Sequence, residues 1–132
     1  MHRSRLCTVV IDCQVENIDK AAVFWSRALG KAIVPPSLDS GNYRELATEK
    51  NELILLLQKV DHPSRVHLDI ETDDLEAEVR RLEALGAKRL EFIKRWWVME
   101  SPTGQRFCVV QPQRGPLDQR ANAWTDDGKA AR

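Results

Sequence analysis

The chain has 132 residues, 42% of them hydrophobic and 30% charged, which fits one folded domain better than two with separate cores. Its 20 Lys and Arg balance 20 Asp and Glu, so no basic excess exists to neutralise phosphates or to hold an anionic membrane, and nucleic acid is not an expected partner. The longest apolar run, Leu53 to Leu57, is far too short to span a bilayer, and Met1–Arg5 leads into no leader-like stretch. With three cysteines, Cys7, Cys13 and Cys108, in no close pairing, the expected compartment is the reducing cytoplasm.

Leu6 to Ile11 is a β-branched, nearly unbroken apolar run, read as a strand buried on both faces. From Asn17, a cap residue, Ile18, Ala21, Ala22, Trp25, Ala28 and Leu29 recur at helical spacing until Gly30 stops them. A short extended piece at Ala32–Pro36 ends in two prolines, and Ser37–Asn42 supplies turn chemistry. Tyr43–Glu49 and Glu52–Val60 read as strands joined at Lys50-Asn51.

After a polar link, Val66, Leu68 and Ile70 alternate with His67, Asp69 and Glu71, which predicts a strand with an apolar core face and a polar one. Thr72-Asp73-Asp74 caps a helix whose Leu75, Val79, Leu82 and Leu85 form one stripe, ended by Gly86. Arg89–Ile93, Trp96–Glu100 and Phe107–Gln111 complete the strands, with a turn at Ser101–Gly104. Ala21, Val23, Ala28, Leu29 and Gly30 reappear 56 positions later as Ala77, Val79, Ala84, Leu85 and Gly86, so an internal duplication is expected. The modules run about 6–60 and 65–111 within a domain 1–112, and 113–132 reads as a polar tail ordered only by docking Trp124.

His67 and Asp69 share the polar face of their strand and are the candidate acid/base pair. Cys108 and Val110 lie on the last strand. Trp96 and Trp97 are adjacent and point to opposite faces, so one lines a ligand surface while the other packs. Trp96, Trp97, Cys108 and Val110 are the candidate ligand-binding residues, each with ordinary core packing as the competing reading.

The repeated unit, with Phe24-Trp25 ahead of Leu29-Gly30, resembles the vicinal oxygen chelate superfamily of glyoxalases, extradiol dioxygenases and bleomycin-resistance proteins. The second half, His67-Leu68-Asp69-Ile70, Asp73-Asp74-Leu75, Leu82-Glu83-Ala84-Leu85-Gly86-Ala87 and Ser101-Pro102-Thr103-Gly104, is similar to its glyoxalase-like subgroup. The resemblance implies an α+β fold of two paired βαβββ modules, a mostly antiparallel sheet forming a cleft with helices outside. It also implies a divalent ion, Zn, Ni, Fe or Mn, held by four side chains. Those ligand positions fall on Val10 or Ile11, on Leu55 to Leu57, on His67 and on Cys108. Only His67 matches, so an incomplete metal centre is expected, with Asp12 or Gln58 turned inward as the alternative.

The favoured reading is therefore a protein that binds a small organic ligand in the cleft, with catalysis left open. The alternatives are a metal-dependent lyase, isomerase or dioxygenase using His67, and a drug-sequestering protein. Monomer and homodimer both fit the resemblance.

Overall fold

Residues 1–131 are described by the computed structural model, which contains two helices and a mixed eight-stranded sheet, an α+β fold. The chain divides into two compact units, one formed by Thr8–His67 and the other by Met1–Cys7 together with Leu68 onward.

In the first of these, strand β1 (His2–Gln14) contributes its second half, followed by α1 (Ile18–Leu29), β2 (Tyr43–Leu46) and β3 (Ile54–Val60). β1 pairs β3 in parallel and β3 pairs β2 antiparallel. Asn17 caps α1 by accepting the Asp19 N–H, and Gly30 closes it in the left-handed conformation. Ile18 and Ala22 on α1 pack against Cys13, Leu46 and Leu57. The expected extended piece before Pro35 survives as a single bridge, Ile33 to Leu46. It cannot lengthen into a full strand because Pro35 and Pro36 have no N–H to give.

The other unit contains β4 (Arg65–Thr72) from Leu68 onward, α2 (Leu75–Ala84), β5 (Lys88–Ile93), β6 (Trp96–Glu100), β7 (Arg106–Val110) and β8 (Asn122–Trp124). The order is β4-β7-β6-β5, with β4 and β7 parallel and the rest antiparallel. Asp74 caps α2 through the Ala77 N–H. Val79 and Leu82 of α2 cover Met99 and Val109, with Ile70, Trp97 and Phe107 at the margin.

Three expectations need correction here. Leu6, read as buried, is exposed. The apolar face of β4 is more open than its polar one: Val66 is 60% and Leu68 45% exposed, whereas Glu71 is buried. The cluster beneath α2 takes in Ile70 but neither Val66 nor Leu68, so alternation located the faces without locating the helix. Finally, β1 begins before Leu6, where the segment after Pro112 meets it. β8 pairs antiparallel with His2, Arg3 and Ser4, which extends β1 well before the predicted start at Leu6. The Trp124 indole N–H donates to Ser4 Oγ at 2.8 Å, and the Arg81 guanidinium lies 3.8 Å from the centre of the Trp124 ring.

Candidate functional site

β-Pleating sorts the residues of β1 and β3 into two faces. Ile11, Cys13, Leu55 and Leu57 turn to α1 and join its apolar core. Thr8, Val10 and Asp12 alternate onto the opposite face, where the register sets Asp12 beside Gln58, and Gln58 beside Tyr43 on β2. Of the positions expected to carry metal ligands, Ile11, Leu55 and Leu57 therefore belong to the helix side. Val10 and Leu56 share the polar residues' face and offer no donor atom. Asp12 and Gln58, the alternative considered from sequence, are polar and lie on that face.

Asp12 is 2% exposed. Its Oδ2 accepts the Nδ1 N–H of His67 at 2.7 Å, while Oδ1 is buried and has no hydrogen-bond partner among the described residues. Gln58 Nε2 donates to the Tyr43 hydroxyl at 3.0 Å. Arg65, two residues before His67 and so on the same face of β4, brings Nε to 3.8 Å from Asp12 Oδ2. That is an ion pair but not a hydrogen bond. Burial, with Asp12 adding to it, pushes the Cys13 thiol above its usual range, which suits its place in the helix-side core.

His67 is thus bonded to Asp12, a residue that the sequence reading considers only as an alternative metal ligand. Asp69 stands two positions on along β4, in register with Cys108 on β7. Cys7 Sγ donates to the Asp69 carbonyl oxygen, and Cys13 packs under α1.

Of the four candidate ligand-binding residues, Cys108 and Val110 alternate on one face of β7, and the registers set Val98 and Trp96 on that same face of β6. Trp97 takes the other side, where it packs at the margin of the core under α2 and meets Phe92 edge to face, with ring centroids 5.1 Å apart.

Glu71, on the same strand as His67 and Asp69, is also buried, but both its oxygens are occupied. Oε2 accepts Arg5 Nε at 2.6 Å and Oε1 the Gln113 N–H at 2.8 Å. A buried carboxylate so satisfied is structural, which sets it apart from Asp12. Arg65 escaped the sequence reading because the predicted strand begins at Val66, and Asp12 enters it only as an alternative metal ligand because the predicted first strand ends at Ile11. The signal was available: Asp12 follows Val10 by two, and Arg65 precedes His67 by two.

A model of the glyoxalase-like domain matches residues 8–110, and the chain belongs to that family. Among solved structures, it is similar to methylmalonyl-CoA epimerase from Mycobacterium tuberculosis, with 20% identity, a TM-score of 0.60, and coverage of 82% of this chain and 87% of that one. A hypothetical protein from Bacillus halodurans C-125 gives a TM-score of 0.61 at 13% identity, covering 87% and 99%. A glyoxalase/bleomycin resistance protein/dioxygenase superfamily member from Vibrio splendidus 12B01 gives 0.52 at 16%, covering 83% and 99%. At these identities the likeness is one of fold. No curated protein matches the chain.

Proposed function

We propose that this glyoxalase-like chain binds a small organic ligand at His67 and that His67 moves a proton to or from it. The observation that carries the reading is the 2.7 Å bond between His67 Nδ1 and the almost wholly buried Asp12 carboxylate. A carboxylate only accepts, so it fixes the ring proton on Nδ1 and leaves the lone pair of the neutral imidazole on Nε2. The same contact stabilises the imidazolium formed when Nε2 takes a proton. Asp12 is thereby the carboxylate that this reading sets behind the imidazole.

A second reading is favoured by the buried carboxylate bonded to Nδ1 of His67: His67 would hold a divalent ion, with Asp12 behind the imidazole as the carboxylate that orients it. Such an ion supplies Lewis-acid polarisation of a ligand oxygen. Elemental analysis of protein purified without added metal separates the two readings. Ligand-observed NMR screening of small carbonyl and hydroxy compounds, repeated on His67→Gln and Asp12→Asn, tests the first. The expected result is that His67→Gln abolishes turnover and Asp12→Asn lowers it with binding retained. Turnover unchanged in His67→Gln would sink the proposal, while binding without turnover in the unaltered protein favours sequestration.

A further inference from the structure

We infer that the ligand met by His67 carries an anionic group, a carboxylate or a phosphate, and that the guanidinium of Arg65 binds it. The inference rests on the reading that His67 faces the ligand, and it adds the class of molecule.

Arg65 and His67 are two apart on β4, hence on one face, with backbones separated by roughly 6.6 Å at the strand rise. The Arg65 side chain is 44% exposed, and its one charged contact is the 3.8 Å approach of Nε to Asp12. Among the described residues it makes no hydrogen bond. Other arginines are spent: Arg44 on Asp19, and Arg89 on Glu76 and Glu83. Asp12 does not meet Arg65 fork to fork: the approach is to Nε alone, on the same Oδ2 that His67 bonds, and at 3.8 Å it is beyond hydrogen-bond length.

A guanidinium held beside a proton-transfer residue with its Nη groups unbonded presents the planar fork that carboxylates and phosphates accept in pairs. The approach of Asp12 to Nε keeps that fork near His67 rather than letting it sweep through solvent. The separation of the two residues then sets the ligand's scale. Its anionic group and the atom facing His67 are several bonds apart, as in a short dicarboxylate or a small phosphate ester.

The test uses the full chain, isotopically labelled, at constant ionic strength. Sodium succinate, inorganic phosphate and neutral succinamide are titrated while the His67 ring Cε1–H signal is followed and binding is measured by calorimetry. Succinate or phosphate should shift the signal saturably, with the tighter of the two naming the anion, and succinamide should bind at least about tenfold more weakly. Arg65→Gln should weaken anion binding by at least about tenfold, and Arg65→Lys should recover part of it. Equal binding by succinamide, an Arg65→Gln affinity within about twofold of the unaltered protein, or no binding of either anion up to about 10 mM overturns the inference. Binding that depends on Arg65 but leaves the His67 signal unmoved keeps the anion subsite and removes His67 from the ligand, so the two ideas fail separately.

Discussion

The Nδ1 of His67 and the Oδ2 of Asp12 are 2.7 Å apart, yet the residues come from strands separated by more than fifty positions of sequence. This contact fixes the imidazole tautomer, so the neutral ring should carry its proton on Nδ1 in long-range ¹H–¹⁵N spectra. Asp12→Asn should abolish that preference, because an amide can either donate or accept. Spectra showing the proton on Nε2 in the unaltered protein would contradict the arrangement. His67→Ala should cost about 1–3 kcal/mol in a urea melt, since the buried Asp12 then loses its hydrogen bond and keeps only the longer approach of Arg65.

Glu78 is fully buried, accepting His2 Nε2 and the Nε of Arg81 at 2.8 Å each on Oε1, and Arg81 Nη2 at 2.8 Å on Oε2. Burial alone would push its carboxyl upward, but the bonds from Arg81, His2 and Ser4 outweigh this and leave it lowered. Removing the carboxylate strands two buried donors, so Glu78→Ala should cost about 3–5 kcal/mol. A loss under about 1 kcal/mol would show that water replaces these bonds.

Trp124 is held by Ser4 and stacked by Arg81. Trp124→Ala should cost about 2 kcal/mol, less than a fully buried tryptophan because the ring is only half-buried. It should also release the amides of residues 2–4 to hydrogen exchange. Retained protection there would mean that β8 pairs without its anchor.

Acid should act on the α2 surface. The Glu76 carboxyl is held at about 2, below its ordinary 4.5, by hydrogen bonds from Arg89 and Arg80. A carboxyl depressed in the folded state adds stability above its unfolded value and loses it as pH falls through the folded one. Thermal stability should therefore decline between about pH 4.5 and 2. Glu76→Gln should flatten part of that slope, by a small amount because the group is largely exposed.

Gly86 follows α2 at φ +106°, and a Cβ there would meet Pro102 Cγ at 3.0 Å. Gly30 at φ +67° meets nothing within 4 Å. Gly30→Ala should cost about 1 kcal/mol of backbone strain, and Gly86→Ala more, since the proline ring has to yield as well. Equal melting temperatures for the two variants would refute the contact.

The helices and their caps were legible because each is written in a few adjacent residues: Asn17 and Gly30, Asp74 and Gly86. What the sequence concealed depends on partners far along the chain. Alternation in β4 shows that His67 and Val66 face opposite ways, but only the reach of α2 decides that Val66 is left open. Trp96 and Trp97 likewise differ by one residue, and which of them meets the core is set by β6 pairing with β5 and β7. Asp12 reads as the polar end of an apolar run until β3 and His67 come alongside.

The pairing of β8 with the first residues of β1 has a consequence for synthesis. Thr8–His67 is an uninterrupted stretch and can organise as soon as it leaves the ribosome, whereas the stretch containing Met1–Cys7 must wait for strands made last. The opening residues of β1, His2 to Ser4, wait for β8 during that interval, so a chaperone that shields an early strand would raise yield more than one acting at the end.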